Sequence, residues 1–86
     1  MNTIWEKFSK NIINLISKSD SKTPEAMRYA NNMLGCAQFA SEGMGIDVKR
    51  LCQTQINLII KNMDLIPETE FKKLFIICNE VGIKIG

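Results

Sequence analysis

Apolar residues recur along this chain at the three- and four-residue spacings of amphipathic α-helices, in four segments separated by polar, glycine- or proline-containing stretches. In the first segment Trp5, Phe8, Ile12 and Ile16 share one face. The predicted helices span about 4–17, 24 to the Gly43-Met44-Gly45 stretch, 48–63 and 67–81. Since a strand at 83–86 would have no partner, the pattern predicts an all-α fold.

Signals for helix ends accompany each segment. The start signals are a capping box at Thr3 and Glu6, Thr23 before Pro24, Asp47 before Val48, and the Pro67-Glu68 pair. At the other end of the last helix, Gly82 is a predicted C-terminal cap, with Ile83 folding back onto the final turn.

The periodicity also predicts which side chains face the core. In the last helix the expected inner face is Phe71, Leu74, Phe75 and Cys78. Trp5 is predicted to be a core anchor, with a place in an interface as the alternative. Gly35 lies inside the second helix, where glycine costs about 1 kcal/mol relative to alanine, so we expect close helix packing there.

The chain length favours one domain, residues 1–86, because 86 residues bury only a small core. Short loops make neighbouring helices antiparallel. The predicted architecture is a small antiparallel four-helix bundle.

Residue types that carry catalysis or bind metals are scarce. The chain has no histidine, and its three cysteines, Cys36, Cys52 and Cys78, lie in apolar helical patterns without a CxxC spacing. The glycines at 43 and 45 lack the rest of a phosphate-binding loop. The sequence therefore predicts a non-enzymatic protein with buried thiols, no metal site and no cofactor.

The charge pattern does not favour nucleic acid, since the net charge is only +2 and no basic stripe is present. A helix-turn-helix formed by the second and third helices is nevertheless an alternative. It would present Lys49, Arg50, Gln53, Thr54 and Asn57 to bases.

Location is predicted from two further patterns. Charged residues interrupt the N-terminal apolar region, so the sequence does not predict a secretory signal there. The longest apolar run, from Leu74 to Cys78, is far too short to span a membrane. Together with unpaired cysteines, this predicts a cytoplasmic protein.

Several apolar residues fall beside or off the main stripes, namely Ile4, Ile13, Leu58 and Ile76. They imply apolar surface for a protein partner or a homodimer. The candidate partner-binding surface lies in the region of the third and fourth helices, where such residues neighbour charges. Its residues are Arg50, Leu58, Phe71, Lys72 and Lys73.

The order of segments resembles a known family. The points of likeness are the apolar first helix, the Thr23-Pro24 restart, the Arg50-Leu51 opening of the third helix, and the ending 66–71 through 79–83. These features are similar to immunity proteins that protect bacteria from pediocin-like (class IIa) bacteriocins. The resemblance implies a cytoplasmic four-helix bundle that recognises a complex of the toxin with a sugar-transport permease. It also implies that the last helix and the tail help to choose the toxin, although here only four residues follow Gly82.

Two functional hypotheses follow for a non-catalytic protein-binding module. The more specific is bacteriocin-immunity-like protection. The alternative is a phage- or plasmid-encoded protein that inhibits or adapts a host protein, with the DNA-binding regulator as a third hypothesis.

Overall fold

Four helices make up the part of the chain that the structure describes. The structure is a computed structural model and describes residues 4–41 and 47–85, apart from the side chain of Ser41. The helices are α1 (Ile4–Ser17), α2 (Pro24–Ser41), α3 (Val48–Asn62) and α4 (Glu68–Glu80), and no strand occurs in the described ranges. This confirms the all-α fold class. The predicted capping box at Thr3 and the helix end at Gly43-Met44-Gly45 lie outside those ranges.

Capping side chains begin α2 and α3 where the sequence predicts them. The hydroxyl of Thr23 accepts a hydrogen bond from the Ala26 amide at 3.1 Å. The carboxylate of Asp47 accepts one from the Arg50 amide at 3.2 Å. The amides in the first turn of a helix have no carbonyl partner within that helix, and each of these side chains accepts a hydrogen bond from one of them. Pro67 differs slightly from the prediction, because its extended backbone makes it the residue before α4 rather than its first residue.

The core is a single apolar cluster to which all four helices and the tail contribute. α2 lies between α1 and α3 and packs extensively against both, whereas α4 packs against α1. α2 contributes Ala26, Ala30 and Ala37 to the buried set, so its neighbours approach it closely. The buried residues of the cluster are Phe8, Ile12, Ile16, Ala26, Ala30, Met33, Val48, Cys52, Ile56, Ile59, Leu74, Cys78 and Ile83.

Polar contacts hold the α1–α2 connection against the end of α3. The Ser21 hydroxyl donates to the Leu65 carbonyl at 2.7 Å, and the Asp64 amide donates to the Ser21 carbonyl at 2.9 Å. The Thr23 hydroxyl also donates to the Asn62 carbonyl at 2.6 Å. Because the start of α2 thus lies beside the end of α3, these two helices run antiparallel.

The opposite end of the bundle is closed by the residues that follow α4. The Ile83 amide donates to the Cys78 carbonyl at 2.9 Å, and the Gly82 amide donates to the Asn79 carbonyl at 3.2 Å. These two bonds form a Schellman motif, which requires a left-handed residue, and Gly82 has a φ of 78°. Ile83 is buried at 3% exposure, so the predicted cap and the return of Ile83 are both confirmed.

Beyond this cap, the tail is attached to the start of α3. The Gln53 side-chain amide donates to the Lys84 carbonyl at 2.7 Å, and the Lys84 amide donates to the Gln53 side-chain oxygen at 2.9 Å. The end of α4 therefore lies beside the start of α3, and the bundle is antiparallel throughout.

Two predicted core features are wrong. Phe75 is 50% exposed and does not belong to the inner face of α4, whose buried residues are Leu74 and Cys78. A Cβ built on Gly35 meets nothing within 4 Å, so close helix packing does not explain this glycine. Trp5, by contrast, packs against the core and makes an edge-to-face contact with Phe8 at 6.0 Å between ring centroids.

Candidate functional site

Among the described helices, α4 is the one that exposes two large apolar side chains. Ile76 is 59% exposed and Phe75 is 50% exposed, although both lie in the middle of a well-formed helix. At 100° per residue they share a stripe with Lys72 and Asn79, which lie three or four positions away. Lys72 and Asn79 are exposed as well. We call these four residues the α4 outer face.

The position of the α4 outer face follows from how α4 packs. Leu74 and Cys78 point into the core. Ile76 lies about 160° around the helix from each of them, whereas Phe75 lies on the flank, about 100° from Leu74. At its N-terminal end the Lys72 ammonium pairs with the Glu68 carboxylate at 3.5 Å, with both side chains largely exposed. Such exposed pairs contribute little to folding, so Lys72 is available to a partner.

The five sequence-predicted binding residues lie at separate places. Lys72 and Lys73 are both exposed on α4. Around the helix Lys72 lies between Phe75 and Ile76, whereas Lys73 lies about 60° beyond Ile76 and outside the α4 outer face as defined here. Phe71 is half-buried. Arg50 is exposed in the first turn of α3, near the opposite end of the bundle from Lys72.

Leu58 is half-buried in α3. The side chain of Gln53, also on α3, bonds the tail that follows α4. Leu58 is five positions from Gln53, which places it about 140° around the helix from that residue. Leu58 is thus on the other flank of α3. A role in partner binding stays a prediction for all five residues.

A small depression lies between the first turns of α1 and the end of α4. It has a volume of about 260 Å³, and its lining includes Ile4, Lys7, Ile77 and Glu80. Ile4 is 61% exposed, as expected from its place off the main stripe. Ile4 and Ile77 therefore add apolar surface beside Ile76, on the side of α4 that faces α1.

A second, larger pocket lies between the start of α3 and the tail. Its volume is about 440 Å³, and three of its lining residues are cationic: Lys49, Arg50 and Lys84. Among the described residues, Asp47 is the only acidic side chain in the lining, and it caps α3 through the Arg50 amide. The pocket is therefore a region of positive potential on a protein of small net charge.

Three of the five side chains that a helix-turn-helix would use for base contacts, those of Gln53, Thr54 and Asn57, form hydrogen bonds within the chain. Gln53 bonds the Lys84 backbone through both its oxygen and its nitrogen, and its nitrogen also donates to the Asn57 side chain at 3.1 Å. The Thr54 hydroxyl donates to the Arg50 carbonyl at 3.1 Å. A base contact by Gln53 would require these bonds to break, which weakens the DNA-binding alternative.

The thiols lie where nucleophilic chemistry is disfavoured. Cys52 and Cys78 are fully buried, whereas Cys36 is partly exposed. Burial, with a smaller contribution from the neighbouring Cys36, raises the pKa of Cys52 to about 11. Burial raises the pKa of Cys78 to about 12. Both thiols stay protonated at neutral pH, and a protonated thiol is a poor nucleophile.

Two further properties concern the described ranges, 4–41 and 47–85. They contain no group of three or more cysteine, aspartate or glutamate side chains arranged to hold a metal ion. None of the four helices there combines the length and the apolar character that crossing a bilayer demands.

No family model matches the chain, and neither a curated protein nor a solved structure is significantly similar to it. The resemblance to bacteriocin immunity proteins thus depends on the residues quoted for it and on the order of the helices.

Sequence reasoning missed Phe75 as a surface residue and also missed the cationic pocket. The signal at Phe75 was ambiguous, because five consecutive apolar residues, 74–78, cover the whole circumference of the helix. The pocket had a partial signal in the Lys49-Arg50 pair. Lys84 is distant from this pair in the sequence, and its place in the pocket depends on the hydrogen bonds between its backbone and Gln53.

Proposed function

We propose that this protein acts without catalysis by binding another protein through the α4 outer face. The observation that carries the proposal is the exposure of Phe75 and Ile76, together with Lys72 and Asn79, in the middle of helix α4. Aromatic and aliphatic anchors on a fixed helix, bordered by polar groups, are typical of protein interfaces.

The more specific form of the proposal is protection of a bacterial cell from a pediocin-like bacteriocin, from the cytoplasm. The support is the resemblance of the helix order, together with an antiparallel bundle of the kind that the resemblance implies. The resemblance also assigns toxin choice to the last helix and the tail. In this chain the α4 outer face is on that helix, and the tail follows it directly.

Expression in a bacteriocin-sensitive strain tests this form of the proposal. Cells that make the protein should survive a pediocin-like bacteriocin, and Ile76→Asp should abolish survival, because a charge in an apolar interface leaves an uncompensated desolvation cost. Phe39→Asp is the matched control, since Phe39 is 54% exposed on α2, away from α4. Both variants alter exposed positions, so circular dichroism should show unchanged helicity.

The outcomes separate the two levels of the proposal. Survival that is lost with Ile76→Asp and kept with Phe39→Asp supports both protein binding and immunity. If the cells die with the wild-type protein, the immunity form is wrong. If survival is equal for the wild type and Ile76→Asp, the α4 outer face is not the binding surface.

A further inference from the structure

The geometry points to a second recognition element: the 440 Å³ pocket between α3 and the tail receives carboxylate side chains from an acidic segment of the protein partner. This inference rests on the proposed function and extends it to the chemistry of the partner. We define the cationic pocket by its three basic residues, Lys49, Arg50 and Lys84.

The charges of the cationic pocket are not neutralised by the described part of the chain. No ion pair joins Lys49, Arg50 or Lys84 to a residue in the described ranges, where the ion pairs are Lys10–Glu6 and Lys72–Glu68. In the described part of the lining, three cations face one carboxylate, and that carboxylate already accepts a hydrogen bond from the backbone. An incoming anion would therefore meet a net attraction.

Contacts between α3 and the tail hold the residues of the cationic pocket near one another. Gln53 holds the backbone of Lys84 through two hydrogen bonds of 2.7 and 2.9 Å. At Gly82 the absence of a side chain leaves room for Lys49, since a Cβ there would be 3.1 Å from the Lys49 ammonium nitrogen. Fixing the tail in this way lowers the entropic cost of binding.

The shape and extent of the cationic pocket favour a peptide over a nucleic acid. A nucleic-acid backbone is followed by a stripe of basic residues, whereas these three cations surround one concave site on a chain of net charge +2. Carboxylates pair well with arginine, and one or two acidic side chains fit a pocket of this size.

Titration with a short blocked peptide of alternating glutamate and aspartate tests the inference on the full chain. In nuclear magnetic resonance spectra, the amide signals of Lys49, Arg50 and Lys84 should shift, and the affinity should fall as salt is added. A peptide of the same length made of glutamine and asparagine should cause no shift. Inorganic phosphate is the second anion probe and should shift the same signals more weakly.

Charge-removing variants locate the binding. Lys84→Gln, Lys49→Gln and Arg50→Gln should each weaken peptide binding about two- to fivefold, the range for solvent-exposed ion pairs. Lys61→Gln is the matched control, because Lys61 is an exposed lysine at the other end of α3. This control should leave the affinity unchanged.

Three results would overturn the inference: no shift with the acidic peptide, an equal loss with Lys61→Gln, or tighter binding of a short DNA duplex than of the peptide. The bacterial protection assay keeps the two proposals distinct. Protection that is lost with Ile76→Asp, together with no spectral shift on addition of the acidic peptide, leaves the proposed function standing and rejects the cationic pocket.

Discussion

The Thr23 hydroxyl donates a hydrogen bond to the Asn62 carbonyl at 2.6 Å and thereby joins the start of α2 to the end of α3. The same oxygen accepts the Ala26 amide, so one side chain both caps α2 and fixes its position against α3. A side chain with two such bonds carries more of the folding free energy than an ordinary cap.

Replacement of this hydroxyl should therefore destabilise the bundle. Thr23→Ala should lower the free energy of unfolding by about 1–2 kcal/mol, because it removes the cap and leaves the Asn62 carbonyl without this donor. Thr23→Ser keeps the hydroxyl and should retain most of the stability. Urea denaturation measures both, and equal midpoints for the two variants would contradict the double role of Thr23.

Gly82 is the position where the backbone demands glycine. Because its φ is 78°, Gly82→Ala should lower the free energy of unfolding by about 1–2 kcal/mol. Gly82→Asn should cost less, since asparagine tolerates the left-handed region better than alanine. Thermal unfolding of the two variants measures the difference, and a stable Gly82→Ala protein would show that the Schellman motif is dispensable.

Gly35 should behave in the opposite way. It lies inside α2 with no atom within 4 Å of a built Cβ, so alanine fits there without displacing a neighbour. Gly35→Ala should raise the free energy of unfolding by about 0.5–1 kcal/mol through the lower backbone entropy of the unfolded chain. Urea denaturation provides the measurement. A loss of stability would mean that the glycine is needed for a contact that α2 makes elsewhere.

The cysteines should differ sharply in reactivity. At pH 8 a thiol reagent should modify Cys36 in the folded protein, while Cys52 and Cys78 should react only after denaturation, because both are fully buried and their pKa values are raised. A Cys36→Ser variant should then show no rapid phase. Rapid modification of three thiols in the native protein would contradict the burial of Cys52 and Cys78.

The same two thiols predict a loss of stability in alkali. In the unfolded chain they ionise near pH 9.0, but burial raises the folded pKa to about 11 for Cys52 and about 12 for Cys78. Between these values the unfolded state binds fewer protons than the folded state. The thiols' contribution is therefore fully present below pH 9 and is lost as the pH rises through 11 and 12. Urea unfolding across this range should show a shallower decline for Cys78→Ala than for the wild-type protein.

Local signals in the sequence predicted most of the fold. The caps at Thr23, Asp47 and Gly82 each depend on a few adjacent residues, so the helix bounds agree with the prediction to within one or two residues in the described ranges. Contacts between distant residues could not be predicted in this way. The bond from Ser19 to the Glu70 carboxylate, at 2.8 Å, joins residues 51 positions apart.

The candidate site was harder to predict because it depends on which face of α4 is left uncovered. Leu74 and Phe75 are adjacent in an apolar run, and either could have pointed inward. The packing of α4 against α1 decides that Leu74 is buried and Phe75 is exposed.

Photocrosslinking in the native host tests the central claim, binding of another protein through the α4 outer face, most directly. A benzophenone amino acid is placed at Phe75, and the control places it at Phe39, an aromatic residue of similar exposure on α2. We expect a crosslink from position 75 to one other protein and none to that protein from position 39. An absence of product at position 75, the same product from both positions, or crosslinks only to a second copy of this chain would contradict it.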